Sequence, residues 1–199
     1  MCVVRRRKGL TGLETAIILI AFIIVAAAFA FTVLNMGFFT TQRSKEVIKA
    51  GMEEAASSVE LAGNVVAMAN GSGTPSNGVF VQNITIYVKS AVGKQPISMA
   101  NGSLVISYTD PYKHVENIYD GSNSTCLVLE VEGDGDKLLE YGEVWKIVVK
   151  LNGTLIYNST ATSLQPNDKF SVEIKPHTGS ILTVERMLPQ SFDPVMNLL

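Results

Sequence analysis

The sequence predicts an α+β protein, with one long N-terminal apolar helix followed by an all-β sandwich of the Ig-like kind. Three observations carry that expectation. From Ala16 to Leu34 the only side chain that is not apolar is Thr32, and no charge lies between Glu14 and Arg43. Asn70-Gly71-Ser72-Gly73-Thr74-Pro75-Ser76-Asn77-Gly78 then gathers turn formers that no helix would carry. Beyond it the apolar period changes from helical to alternating, as strands require.

The apolar run from Ala16 to Leu34 counts nineteen residues. As a helix rising 1.5 Å per residue it would reach about 28 Å, roughly the thickness of a bilayer's hydrocarbon core. Arg5, Arg6, Arg7 and Lys8 precede it, and cations there hold a helix N-terminus on the cytoplasmic side. The run is longer than the h-region of a secretory signal, and no A-x-A site follows directly.

The helix is expected over residues 10–68, apolar across 13–39 and amphipathic across 40–68. Asn35-Met36-Gly37 is a weak point, because glycine costs about 1 kcal/mol against alanine within a helix. In the second half Ile48, Met52, Ala55, Val59, Ala62 and Val66 recur at spacings of four and three, a heptad-like stripe. The first half is apolar on every face, so it needs cover on all sides, from a membrane or a bundle of like helices. Ala26, Ala27, Ala28 and Ala30 are small enough to let such helices approach closely.

Residues 69–78 read as a linker and 79–199 as the β domain. Val79–Val88, Leu104–Tyr108, Cys126–Val131, Glu143–Leu151, Lys169–Ile174 and Ser180–Glu185 alternate as strands. Trp145, Ile147, Val149 and Leu151 share one face, with Lys146 and Lys150 on the other. Asn152-Gly153, followed by Thr154–Tyr157, signals a tight hairpin. About seven short strands separated by turns fit a sandwich. The tail Gln190–Leu199 matches none of these elements.

Composition narrows the chemistry. The formal charge is −2, and −6 once the four leading cations are set aside. No basic patch remains, so nucleic acid is not an expected partner. The cysteines are Cys2 and Cys126; if the leader is removed, the remaining one reads as a small buried hydrophobe without a disulfide partner. Six N-x-[ST] sequons occur, at Asn70, Asn83, Asn101, Asn123, Asn152 and Asn158. All lie after the helix, so N-linked glycans on an exported domain are expected, with Asn152 the exception if the tight turn claims it.

Asp134 and Asp136 flank Gly135 in an acidic stretch with Glu130, Glu132 and Glu140. Oxygen ligands of this kind could hold a structural Ca²⁺, but EF-hand spacing is absent and a solvated acidic loop is the preferred reading of the pattern. His114 and His177 have no nucleophile or ligand set near them in sequence, and no Walker, G-x-G-x-x-G, H-E-x-x-H or C-x-x-C motif is present. No enzyme activity and no firm cofactor are expected.

The remaining residue of note is Glu14, a carboxylate two positions before the apolar run, where a charge is costly unless paired or used. Arg7-Lys8-Gly9 followed by Leu10-Thr11-Gly12-Leu13-Glu14-Thr15-Ala16 resembles the class III signal of archaeal flagellins (archaellins), within the wider type IV pilin-like superfamily. The stretch from Leu164 to Arg186, with Pro166-Asn167-Asp168, Val172-Glu173-Ile174-Lys175-Pro176 and Leu182-Thr183-Val184-Glu185-Arg186, is similar to the family's C-terminal part. The resemblance thus covers roughly residues 5–66 and 140–189.

The resemblance implies a membrane peptidase that cuts between Gly9 and Leu10 after Lys8, removing residues 1–9. It implies that Leu10 and Glu14 act in assembly, Glu14 becoming the fifth residue of the processed chain. It implies a cytoplasmic-membrane precursor, and a homo-oligomer of many copies in an extracellular swimming filament whose core is helical. An adhesive pilin and a membrane-anchored surface-binding domain are the alternatives. Cleavage separates the anchor from the other two, and a swimming or adhesion phenotype separates those.

Overall fold

The computed structural model describes residues 12–92, 95–121, 124–152, 156–157 and 164–198. The chain divides into two compact units, Met1–Ala50 and Gly51–Leu199.

Helix α1 spans Gly12–Ala56 and supplies the whole described part of the first unit. It runs unbroken through Asn35-Met36-Gly37, the point where the sequence suggested weakness. Its C-terminal boundary differs from the expected residue 68. The helix stops at Ala56, Ser57 N–H closes the last turn on Glu53 O at 2.9 Å, and Ser58 already enters a strand. The residues that read as the end of a heptad stripe are strand residues: Val59 is buried in the core, and Val66 pairs with Thr85. Short apolar runs fit either period, and here sheet pairing decides between them. Gly63-Asn64 supplies the break between the two strands.

The strands of the second unit are β1 (Ser58–Leu61), β2 (Val65–Ala69), β3 (Val81–Val92), β4 (Ile97–Ser98), β5 (Leu104–Thr109) and β6 (His114–Val115). They continue with β7 (Cys126–Glu132), β8 (Leu138–Leu139), β9 (Val144–Lys150), β10 (Lys169–Pro176), β11 (Leu182–Met187) and β12 (Val195–Leu198). One antiparallel sheet has the order β12-β2-β3-β9-β7, with β1 also paired to β3. A second has the order β11-β10-β5-β6, and β4 pairs with β8. Ile84, Ile86, Ile147 and Val149 of the first sheet join Ile106, Tyr108, Val172 and Ile174 of the second in one buried cluster. The sandwich expected from alternation is present.

Two expected boundaries change with it. Residues 69–78 form a folded loop instead of a linker. Asn70 Nδ2 donates to Gly78 O at 3.0 Å while its Oδ1 accepts from Phe80 N–H at 2.8 Å, closing the loop around a 3₁₀ turn at Pro75–Asn77. Gly78 takes the left-handed conformation that ends this turn, φ 77°. The β unit therefore begins upstream of residue 79, because β1 and β2 belong to its larger sheet. The Asn152-Gly153 turn falls partly outside the described residues; what is described is Asn152 bridged to Tyr157, whose N–H donates to Leu151 O at 3.0 Å.

The tail, unassigned in sequence, is a strap across the larger sheet. Phe192 is fully buried and exchanges two backbone hydrogen bonds with Gly73, each 2.8 Å. β12 then pairs with β2, burying Met196 and Leu198 and covering an edge that would otherwise be open. Phe192→Ala should cost about 3–5 kcal/mol, the usual range for emptying a buried aromatic site. For a β unit of this size that lowers Tm by about 6–20 °C, measurable by thermal melting of detergent-solubilised chain. A melt unchanged by the substitution would mean that the strap lies loose.

The two outer sheet faces differ. On the second sheet, Val105, Ser107, Thr109, Ser171, Glu173, Lys175, Thr183, Glu185 and Met187 lie between the core-facing residues, a mainly polar side in which Val105 and Met187 are exposed and Ser107 is buried. On the first, the cross-strand row Asn197–Val66–Thr85–Val148–Leu127 runs over five strands and is apolar except at its end and at Thr85.

Candidate assembly surface

The apolar half of α1 is the most unusual surface of the molecule. Sixteen large apolar side chains from Leu13 to Phe39 are each between 53% and 72% exposed. Straight-chain and branched aliphatics with alanines favour the helix, and its described residues 12–52 are all exposed. The polar side chains it carries are satisfied within it. Thr32 Oγ1 donates to Ala28 O at 2.9 Å, Thr40 to Met36 O at 2.8 Å and Thr41 to Gly37 O at 2.8 Å. A helix with its hydroxyls bonded to its own carbonyls can enter an apolar environment without leaving a donor unpaired.

Charge resumes one turn beyond. Arg43 pairs with Glu46 at 3.2 Å, and its guanidinium carbon lies 5.4 Å from the centroid of the Phe39 ring. At the other end Glu14 sits in the first helical turn, exposed, where a carboxylate favours the positive end of the helix dipole. Lys8, Gly9 and Leu10 lie outside the described residues.

The sequons fall in unlike surroundings. Asn70 is exposed but spends both side-chain polar atoms on the loop closure already described. Asn101 is exposed and its Nδ2 donates to Asp120 O at 3.0 Å. Asn83 is half-buried in the middle of β3, opposite Met68 and Lys150, and Asn152 is half-buried at the end of β9. Asn123 and Asn158 lie outside the described residues.

In the acidic stretch Asp134 meets Glu130 and Glu143, with one oxygen from each within 4.8 Å of the others. Asp136 is not in this group; its Oδ1 accepts from Leu138 N–H at 2.6 Å. Glu143 was not singled out in sequence, because thirteen positions separate it from Glu130. The β7–β9 pairing, Glu130 against Trp145, brings them together. Each of the three already accepts a loop amide: Gly135 on Glu130 at 2.9 Å, Asp136 on Asp134 at 3.2 Å and Glu140 on Glu143 at 3.0 Å. The cluster is a braced turn, and a hard cation there would share those oxygens.

The other ionisable groups serve the fold. Burial pushes the Cys126 thiol up to about 12, with Asp120 adding to the shift and Lys150 opposing it. Tyr157 donates its hydroxyl to Asp110 Oδ2, and burial raises both its phenol and that of Tyr108 above the ordinary tyrosine value. Lys175, 2.9 Å from Glu173, holds that carboxyl below its ordinary value. His114 Nδ1 lies 2.7 Å from Thr109 Oγ1, and His177 is exposed in the β10–β11 turn.

A family model for the archaeal-type flagellin matches residues 9–186, leaving the strap beyond it. A probable flagellin 1 of Aeropyrum pernix is 39% identical over 209 residues, covering 94% of this chain and 95% of the relative. A probable flagellin 2 of Archaeoglobus fulgidus is 37% identical, covering 94% and 93%. Among solved structures, the archaeal flagellum of Methanospirillum hungatei matches with a TM-score of 0.65 and 27% identity, covering 96% of this chain and 99% of that one. A crystal structure of flagellin FlaB1 from Methanocaldococcus jannaschii shares the fold, with a TM-score of 0.54 at 12% identity over 70% of this chain and 95% of that one. By a family match that spans most of its length and relatives this similar from end to end, the chain belongs to the archaeal-type flagellins.

Proposed function

We propose that this chain is the repeating structural subunit of an archaeal swimming filament, packed in many copies through α1 with the β unit outside. The observation that carries the reading is the fully exposed apolar helix, joined in one chain to a β unit with its own core. An apolar surface of that extent is stable only in a membrane or against other apolar helices, and the first precedes the second. The likeness to the Methanospirillum hungatei flagellum, along nearly all of both chains, supports the same reading.

In this reading the precursor waits in the cytoplasmic membrane. A membrane peptidase then cuts between Gly9 and Leu10, removing Arg5, Arg6, Arg7 and Lys8. Those four cations could not enter an apolar helical core without a large desolvation cost. The peptidase must fit the backbone closely at Gly9, which a side chain there would obstruct. Gly9→Leu should therefore leave the leader attached and abolish surface filaments and swimming, read by N-terminal sequencing and microscopy of sheared cells. Normal filaments built from uncut Gly9→Leu subunits would sink the proposal. Loss of adhesion with intact swimming on deletion of the chain would point instead to a pilus.

A further inference from the structure

We propose that residues 36–49 form an interfacial anchor in the membrane-bound precursor, with Arg43 and Lys45 holding the phosphate groups of outer-leaflet lipids. The inference rests on the membrane precursor of the filament reading and adds what fixes the helix at its outer end.

The first argument is length. Asn35 stands 21 residues past Glu14 in an unbroken helix, about 31 Å along the axis. At the average transmembrane tilt of about 20° that is a height of about 30 Å, the thickness of the hydrocarbon core. With Glu14 at the cytoplasmic edge of the hydrocarbon, where a carboxylate stays hydrated, α1 leaves the core at Asn35. Polar residues return there, with Thr40, Thr41 and Gln42 close behind. Phe39 then stands at a height of about 35 Å, inside the outer headgroup layer.

The second argument is where the side chains lean. On a helix they tilt toward its N-terminus, which here is toward the bilayer. Arg43 does so: its guanidinium carbon lies 5.4 Å from the centroid of the Phe39 ring, so its charge is drawn one turn down into the headgroup layer. Lys45 and Lys49 share a helix face with Phe38, seven and eleven positions before them. Phe38 and Phe39, 66% and 59% exposed, place apolar rings beneath these cations. Rings at the acyl boundary with cations above them are the pattern of a helix bound to a lipid surface. Arg43 also pairs with Glu46 at 3.2 Å, but with side chains 67% and 68% exposed that bond is weak, and a phosphate is a stronger acceptor for it.

The third argument is sign. Cations beside a span are favoured on its cytoplasmic side, which Arg5, Arg6, Arg7 and Lys8 already occupy. Arg43, Lys45 and Lys49, with Glu46 as the one carboxylate among them, run against that bias on the outer side. Lipid phosphate in the outer headgroup layer gives them a partner. Because α1 is one continuous rod, a grip at this end sets how deep Glu14 sits at the other.

The test uses the full chain reconstituted in phosphatidylglycerol vesicles and in maltoside micelles, which carry no phosphate. After amine acetylation and peptide mass spectrometry, Lys45 should label about fivefold more slowly in the vesicles, the equivalent of about 1 kcal/mol, and Lys175 of the β unit alike in both. Depth is read from Phe39→Trp and Phe22→Trp, each combined with Trp145→Phe, in vesicles whose lipids bear a quencher at the headgroup or at mid-chain. Phe39→Trp should be quenched about threefold or more strongly from the headgroup than from mid-chain, and Phe22→Trp the reverse. Equal labelling of Lys45 in the two media, or mid-chain quenching of Phe39→Trp like that of Phe22→Trp, would overturn the anchor while leaving the membrane precursor intact. A chain that fails to float with the vesicles would overturn both.

Discussion

Gly179→Ala should destabilise the β unit more than any other single methyl group added to it. Gly179 lies in the turn between β10 and β11 with φ +107°, a conformation that L side chains rarely adopt. A Cβ built there falls 1.4 Å from Ser57 O and 2.5 Å from Ser57 C. The obstacle is backbone, so no rotamer change relieves it. Ser57 and Ser58 are where the chain leaves α1 for β1, and Ser58 bridges Ser180, one residue past the glycine. Backbone strain of about 1–3 kcal/mol and overpacking of a similar size together give roughly 2–6 kcal/mol. Total stabilities run about 5–15 kcal/mol. Urea denaturation of solubilised chain, followed by Trp145 fluorescence, would measure the loss. Gly78→Ala is the control: φ is +77° with nothing within 4 Å, so only the backbone strain applies. Equal midpoints for the two variants would mean that the β10–β11 turn stands clear of Ser57.

What could be read in the sequence was what a single period determines. Lys169–Pro176 alternates without interruption and Val144–Lys150 alternates but for Val148, and both are strands at nearly the expected bounds. The stretch from Ala16 to Leu34 is apolar on every face, and the helix over it is continuous. What escaped was decided by partners distant in sequence. Val59 and Val66 satisfy a helical spacing, but Glu60 opposite Lys89 and Val66 opposite Thr85 place them in a sheet. Nothing in Gln190–Leu199 announces a strand, since its four strand residues become one only by pairing with β2. Residues 69–78 read as a linker for their turn formers, whereas the hydrogen bonds of Asn70 and the Gly73–Phe192 exchange hold them as a folded loop.

The surfaces divide in the same way. The apolar helix was legible because its signal is local and continuous. The outer face of the larger sheet was not, because it is assembled from alternate residues of five strands, each unremarkable alone. Val66, Val148 and Leu127 become a row only through register. Asp134 was visible in its acidic stretch, but of the two carboxylates it meets Glu130 comes from β7 and Glu143 from the residue just before β9.

Glu14→Gln should permit cleavage at Gly9 while sharply reducing filament assembly. Glu14 is an exposed carboxylate in the first turn of α1, just ahead of a helix whose apolar surface must be covered in the filament. In the membrane-bound precursor proposed above it would stay hydrated at the cytoplasmic headgroup boundary. Among packed apolar helices an unpaired carboxylate costs several kcal/mol, so a partner is required. The proposed cut after Gly9 would create a free amine on Leu10, with a reference pKa of about 7.7–8.0. Pairing of Glu14 on an incoming subunit with that amine on a neighbour would neutralise both charges and fix the axial register between copies. Pairing with the subunit's own amine, one helical turn away, would neutralise charge but give no register. If Glu14 only favoured the helix dipole, its removal would cost about 0.3–1 kcal/mol and assembly would hardly change. Glutamine keeps the shape and removes the charge, so it separates these roles. Loss of filaments with normally processed subunits accumulating in the membrane supports the pairing. Processed subunits and filaments at the wild-type level would reject it and leave the dipole role.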